Sequence, residues 1–481
     1  MGGAGNNTIV AGLGLNTIFG ASGAVTRNPL NQQIIYAETV EETIGGNNII
    51  TAGLRSTVGE MVFGGIGANQ ISVGGGNNII LGHLGVIDIA NLTGYTAAQR
   101  NTGSRPDVWG RIVPEVGNIL PDTIGGQAGL NTAFTTGNDT IGAGNGNNII
   151  IGGGGNNTIT AGAGTNVVFG ADGAVTRDAR TGSVVIAQTV EESLGGNNVI
   201  SVGVGARNAT DTIFGGAGDN IITAGGASDV ILGHLGTVNV TTWTTASAQT
   251  LASGAAPDIV SRTVPVNGNV SPVTTGGPLS GLGQPITGGS TITAGNGNDI
   301  ILGGAGNNTI TAGNGNDVVF GASGAVTRSP TAGVGVLTAV STEVSLSGDN
   351  VINVGTGVDE VFGGHGSAAI STLGTSDVLF GQTGSIYLVS GNQTLAGGSS
   401  LAALAVAAQA QATPLPAPVS PAVNAIRPGG STFILDSTHG YWVTDVAATD
   451  GPVLILDGGD APVLVLDVTA PLATSQIEIA A

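Results

Sequence analysis

Aliphatic positions recur every nine residues in the stretch from 290 to 323, STITAGNGNDIILGGAGNNTITAGNGNDVVFGAS. Ile301, Ile310 and Val319 hold the same place in successive nonamers of the form G-x-G-x-(D/N)-x-U-x, where U is aliphatic. Asp299, Asn308 and Asp317 stand two residues before them. A tight glycine turn and a short strand fit within one nonamer, which therefore makes half of a flattened coil. Two nonamers close one coil of a parallel β-roll, and the chain then advances by one strand spacing, about 4.8 Å. The aliphatic U residues point into the coil. Turns this frequent need backbone conformations that glycine alone adopts without steric cost. The pattern predicts an all-β protein, a parallel β-roll or β-solenoid.

Sorting the nonamers by parity separates two outward faces. One set of outward residues reads Phe19, Phe63, Leu81, Ile151, Phe169, Phe214, Leu232, Leu302, Phe320, Phe362 and Phe380. The other reads Val10, Thr51, Ser72, Gly142, Thr160, Ser201, Thr223, Thr293, Thr311, Asn353 and Ser371. Consecutive nonamers fall on opposite sheets, so the roll has one apolar face and one Thr/Ser face. An apolar stripe of that length is a liability when exposed. Either segments of the same chain fold back over it, or part of it meets another subunit.

A longer period lies above the nonamer. FGASGAVTR at 19–27 returns as FGADGAVTR at 169–177 and FGASGAVTR at 320–328. TVEE at 39–42 returns at 189–192, and LGHLG at 81–85 returns at 232–236. These words predict three modules, over 1–150, 151–300 and 301–395. Each interrupts the roll with a short insert after GAVTR, where Ile34, Ile35 and Tyr36 suggest a β-hairpin, and with a longer one. The longer inserts, about 88–135 and 239–287, carry Trp109, Pro114, Trp243 and Pro265 and read as irregular lobes. Residues 399–412 suit a short helix, and PLPAPVSPAV after them a stiff linker, within a segment 396–430. Alternating strands over 431–481 suggest a separate β unit or a cap on the roll.

The nonamers resemble the RTX, or hemolysin-type calcium-binding, repeats, whose consensus is GGxGxDxUx. The resemblance implies calcium between the turns of adjacent coils, held by aspartate carboxylates and turn carbonyls, a ligand set that suits a hard cation. Aspartates one coil, or 18 residues, apart are the candidate ligands: Asp211 with Asp229, Asp299 with Asp317, and Asp359 with Asp377. All six lie along one edge of the roll. The opposite edge is mostly asparagine, at Asn7, Asn48, Asn69, Asn157, Asn198, Asn220, Asn308 and Asn350, and suits a hydrogen-bonded ladder without metal. In the first module Asn16 and Asn78 stand where the family has aspartate, and Glu60 is the one acid there. The resemblance also implies secretion, by a type I route, to the cell exterior or surface.

Composition narrows the functional classes. Of 481 residues 87 are glycine, and the net charge is −20, with all eleven basic residues arginine. That charge disfavours nucleic acid and anionic lipid and suits cations. No apolar run is long enough to span a bilayer, so no membrane insertion is expected. No cysteine is present, so the core and bound metal must do the work of disulfides. A calcium-free chain of this charge is expected to stay expanded. His83, His234, His365 and His439 are far apart and read as turn or packing residues, and the acid pairs in TVEE as turn or cation contacts. No motif of nucleophilic, metal-hydrolytic or nucleotide chemistry occurs, so no enzyme activity is expected. The expected role is structural: a filament, surface layer or adhesin stalk, homopolymeric through the apolar face or the inserts, with a surface glycan as a possible ligand. The alternatives are an ice- or carbohydrate-binding array on the Thr/Ser face, and a non-catalytic repeat tail of a larger enzyme or toxin.

Overall fold

The computed structural model describes residues 1–41, 44–89, 107–111, 137–178, 181–190, 192, 195–204, 210–226, 228–240, 257–262, 286, 288–328, 336–343, 348–366, 368–373 and 377–381. It also gives the backbone of strands at 385–389, 392–396, 431–436, 440–443, 453–456 and 464–466. The helix expected over 399–412, the Pro-rich linker, Pro114, Trp243, Pro265 and His439 lie outside the described residues. The chain divides into two compact units. Unit 1 comprises Met1–Gly225, His234–Thr241 and Val264–Thr287, and unit 2 comprises Gly226–Gly233, Thr242–Thr263 and Gly288–Ala481.

Unit 1 is a parallel β-roll with a third, antiparallel layer. Its outer sheet stacks Thr8–Ala11, Ile49–Ala52, Gln70–Val73, Thr140–Ala143, Thr158–Ala161, Val199–Val202 and Ile221–Thr223 in parallel. The middle sheet stacks Thr17–Phe19, Met61–Phe63, Ile79–Leu81, Ile149–Ile151, Val167–Phe169 and Thr212–Phe214. Equivalent aliphatics pair across neighbouring coils, Ile9 with Ile50 and Val62 with Ile80. Ile50, Ile71, Ile80 and Ile150 are sealed from solvent between the two sheets, and Ile141 Cδ1 reaches to the backbone at Gly82. Three-residue strands suffice because each adds one inward side chain to a continuous ladder.

The third layer comes from the inserts. Gly23–Arg27 and Ile34–Thr39 form the hairpin expected after GAVTR, followed by Leu84–Asp88, Val108–Arg111, Gly173–Arg177, Val184–Thr189 and Leu235–Asn239. This cover sheet lies on the apolar side of the middle sheet. A methyl group on Gly23 would stand 2.1 Å from Cδ1 of Phe19, and one on Gly173 would stand 2.3 Å from Cδ1 of Phe169. Glycine is required there because the phenyl ring occupies the space of a side chain. The rings stack along the roll, Phe19 on Phe63 at 4.5 Å and Phe169 on Phe214 at 4.6 Å between centroids.

Unit 2 repeats this design. Its outer sheet holds Thr291–Thr293, Thr309–Thr311, Asn350–Asn353 and Ala368–Thr372 in parallel, then Ser431–Asp436 and Gly440–Val443 antiparallel. The middle sheet holds Val230–Leu232, Ile300–Leu302, Val318–Phe320, Glu360–Phe362, Val378–Phe380 and Val453–Leu456 in parallel, with Leu464–Leu466 antiparallel at the end. The cover sheet holds Ile259–Arg262, Gly324–Arg328, Val336–Ser341, Ser385–Val389 and Asn392–Ala396. Ile301, Ile310 and Val319 are fully buried, as the nonamer pattern requires.

In both units the eleven apolar outward positions are at most 1% exposed. The apolar face is therefore an interior layer, covered by strands of its own chain, and is not a surface open to another subunit. The opposite face of the roll remains at the surface: Thr158 and Thr160 of unit 1, and Thr291, Thr293, Thr309 and Thr311 of unit 2, are exposed. Among the described residues no helix is long and apolar enough to cross a membrane.

Candidate metal centre

Each coil turns twice, and the residue before each strand decides how its turn is held. In unit 1 that residue is usually asparagine. Asn166 Nδ2 donates to the carbonyls of Gly162 and Gly164, both at 3.0 Å, while its Oδ1 accepts from the Nδ2 of Asn148 at 2.8 Å. Asn148 repeats the arrangement on Gly144 and Gly146, and Asn78 on Gly74 and Gly76. On the other edge Asn48, Asn69, Asn157, Asn198 and Asn220 form a second ladder, each Oδ1 accepting a backbone N–H from a neighbouring coil. The expected asparagine ladder is thus present. The amide nitrogen closes the turn and the amide oxygen joins the coils, so a neutral side chain satisfies both needs.

In unit 2 one edge is made of aspartates. The backbone N–H of Asp229 donates to Asp299 Oδ1 at 2.7 Å, that of Asp299 to Asp317 Oδ1 at 2.8 Å, that of Asp317 to Asp359 Oδ1 at 2.9 Å, and that of Asp359 to Asp377 Oδ1 at 2.9 Å. The five form one uninterrupted stack. Spacing by 18 residues finds only part of it, because inserts lengthen two coils: Asp229 and Asp299 are 70 apart, and Asp317 and Asp359 are 42 apart. Asp211 ends the corresponding edge of unit 1, where its Oδ1 accepts both the N–H and the Nδ2 of Asn166.

The carboxylate keeps the coil-joining oxygen and loses the turn-closing donor. Oδ2 of Asp299, Asp317 and Asp359 is buried with no hydrogen-bond partner, in the branch where asparagine carries Nδ2. Burial pushes the Asp299 carboxyl up to about 8, with its bond from the Asp229 N–H opposing and the charges of Asp317 and Asp229 adding. Asp359 is pushed up to about 8 and Asp317 to about 6, again chiefly by burial. At Asp377 the second oxygen is met by the Thr372 hydroxyl. Buried carboxylate oxygens without donors fit a hard cation. Among the described residues no three His, Cys, Asp or Glu side chains cluster around one point, so backbone carbonyls must complete any coordination shell. By position these are the turn carbonyls that asparagine engages elsewhere.

Unit 1 has acids at three ladder positions. Asp211 is one. Glu60 Oε2 accepts the N–H of Asn16 at 2.9 Å, whereas its Oε1 is buried without a partner beside Gly53. Asp139 Oδ1 joins the asparagine ladder at Asn69, and His83 Nδ1 lies 2.8 Å from its Oδ2, both side chains sealed from solvent. That contact lacks the alignment of a hydrogen bond. Burial pushes the Asp139 carboxyl up, against the opposing pull of His83. His234, the counterpart of His83, instead contacts the Gly218 carbonyl at 3.0 Å, and the counterpart of Asp139 is Ser290. His365 is exposed in a turn.

Two ion pairs escape a reading of the nonamers. Asp107 accepts the backbone N–H of Arg177 at 2.7 Å and pairs with its guanidinium; Asp258 does the same to Arg328, also at 2.7 Å. Burial pushes the Asp107 carboxyl up, and Arg177 counters it. Each pair ties a strand of the long insert to the GAVTR strand. The signal was present, since DVWGR at 107–111 and DIVSR at 258–262 recur at the module offset. Of the described acids in the TVEE words, Glu41 accepts from the Ser22 hydroxyl at 2.9 Å and Glu192 from that of Thr189 at 2.6 Å; Glu343, at the equivalent place in the third module, accepts from Ser323 at 3.0 Å.

A family model described as the RTX calcium-binding nonapeptide repeat matches residues 1–26, 59–86, 135–168, 142–176, 205–237, 293–327 and 345–367. No curated protein and no solved structure matches the chain.

Proposed function

We propose that this chain, which carries RTX calcium-binding nonapeptide repeats, is a secreted, non-catalytic structural protein whose roll is stabilised by calcium at the aspartate edge of unit 2. The observation that carries the reading is the buried, unpartnered Oδ2 of Asp299, Asp317 and Asp359. Calcium bound there would supply positive charge where asparagine supplies an N–H, with carboxylate and carbonyl oxygens as its ligands. The chain's own residues do the rest: the Oδ1 atoms join the coils, and the glycine turns carry the carbonyls that asparagine engages at the same place in unit 1. Delivery to a calcium-rich exterior, by a type I route, fits such a requirement.

The assembled form we propose is a homopolymer, as a filament, surface layer or adhesin stalk. Since the apolar layer is covered, contacts between subunits fall to other surfaces. Exposed apolar residues gather in the first coil, at Val10 (78% exposed), Leu13 (73%) and Leu15 (65%), with Leu30 (94%) in the adjoining hairpin. Burying such residues against a neighbour is favourable by about 25 cal/mol per Å² of apolar surface. Sedimentation over a wide concentration range, with electron microscopy in millimolar calcium, tests this reading. Rods or sheets are expected; one monomeric species throughout would sink it.

A second reading rests on the exposed face of the outer sheet. Thr291 and Thr293 pair in register with Thr309 and Thr311, giving a regular hydroxyl array suited to ice or to a polysaccharide surface. Inhibition of ice recrystallisation or retention on insoluble glycans would favour it over the first.

A further inference from the structure

Units 1 and 2 close the same turn with different chemistry. At Asn78, Asn148 and Asn166 the amide nitrogen donates to two carbonyls of its own turn, so the turn is satisfied at no net charge. At Asp299, Asp317 and Asp359 the same branch ends in a buried oxygen that donates nothing. One negative charge is then added per coil, at a repeat of about 4.8 Å. We infer that the roll of unit 1 closes without calcium, its asparagine amides doing what the ion does elsewhere, whereas at neutral pH the roll of unit 2 closes only when a divalent cation neutralises its aspartates. The inference rests on calcium occupying the aspartate edge of unit 2.

The acids of unit 1 do not reverse this. Asp139 Oδ2 has the His83 imidazole nitrogen at 2.8 Å, and Asp211 accepts two N–H donors from Asn166. Among the described ladder acids of unit 1, Glu60 Oε1 is buried without a hydrogen-bond partner, so any calcium response of that unit centres on its turn. A chain of net charge −20 therefore does not stay wholly expanded without calcium. It is half folded, with one ordered unit and one waiting for metal. In calcium-poor surroundings this protects the asparagine-rich half and keeps the aspartate-rich half open until the ion is met.

Hydrogen exchange of the full chain, read by mass spectrometry in chelator and in millimolar calcium, tests the division. Amides of Thr158–Ala161 and Val167–Phe169 should exchange at the same slow rate in both. Those of Ile300–Leu302, Val318–Phe320 and Glu360–Phe362 should exchange at least about tenfold faster in chelator, the signature of an opened segment. Loss of protection in both units on chelation overturns the inference and leaves the calcium reading standing. Slow exchange of both units in chelator overturns the calcium reading, and the inference with it. The variant D299N/D317N/D359N should protect unit 2 in chelator, and N148D/N166D should make unit 1 calcium-sensitive. A triple asparagine variant that stays open in chelator while unit 1 remains protected would show that amide and ion are not interchangeable, against the inference.

Discussion

The backbone N–H of Asp299 donates to Asp317 Oδ1 at 2.8 Å, while Asp317 Oδ2 is buried and accepts nothing. The coil-to-coil bond is made whether the side chain is acid or amide; what differs is the second atom of the branch. Two ionised carboxylates about 4.8 Å apart repel by about 3 kcal/mol at an effective dielectric of about 20. That exceeds the roughly 0.5–1.5 kcal/mol of a typical hydrogen bond, so an ion or a proton decides the stability of this edge.

Replacing both acids, Asp299→Asn with Asp317→Asn, should abolish most of the rise in melting temperature that calcium gives unit 2. The reverse change, Asn308→Asp, removes donors to Gly304, Gly306 and Gly321 and should cost about 1–3 kcal/mol with calcium present. Calorimetry with and without calcium reads both. An unchanged calcium increment in the double variant would rule out these two ligands.

Acid should stabilise the metal-free protein. Burial raises the folded-state values of Asp299 and Asp359 to about 8 and of Asp317 to about 6, above the ordinary carboxylate range. A raised carboxyl contributes stability that is complete below its unfolded value and is lost as pH climbs through the folded one. The melting temperature of unit 2 in chelator should thus fall between about pH 4 and pH 8. In calcium the slope should flatten or reverse, because protons compete with the ion. A metal-free melting temperature that rises over that range would contradict the assignment.

The pair His83 and Asp139 gives a third test. His83→Gln leaves the buried Asp139 Oδ2 without its imidazole partner, a loss of about 1–3 kcal/mol for a buried polar atom stripped of its contact. Adding Asp139→Asn should recover most of it, because asparagine at 139 can rejoin the ladder between Asn69 and Asn157. If the double variant is no more stable than His83→Gln alone, the pair does not act in place of an amide.

The core and the cover sheet make separate demands. Ile301→Ala should cost about 2–5 kcal/mol as a cavity in a fully buried ladder. Gly173→Ala sets a methyl group against the Phe169 ring and should cost about 1–3 kcal/mol through overpacking. Denaturant melts of both variants check this; a change under about 0.5 kcal/mol at position 301 would mean the side chain does not face the core.

Much of this protein is legible in one dimension. A period of nine with glycine turns and one aliphatic per strand leaves a parallel roll as the only way to bury Ile301, Ile310 and Val319 together, and parity alone separates the two faces. The choice between asparagine and aspartate at each turn was visible too, since it is a local fact about one side chain. Tertiary structure decided what lies next to what. A roll neighbour is the next coil in space, and an inserted hairpin or lobe changes the count, so Asp317 meets Asp359 across 42 residues and Asp229 meets Asp299 across 70. The fate of the apolar face was equally non-local: Phe19 and Phe169 look outward in the nonamer, and only strands that return from the inserts, with Gly23 and Gly173 set over the rings, turn that face into a second core. Periodicity encodes a coil, whereas the closing of one segment over another depends on the free energy of burying the whole face, which no single repeat contains.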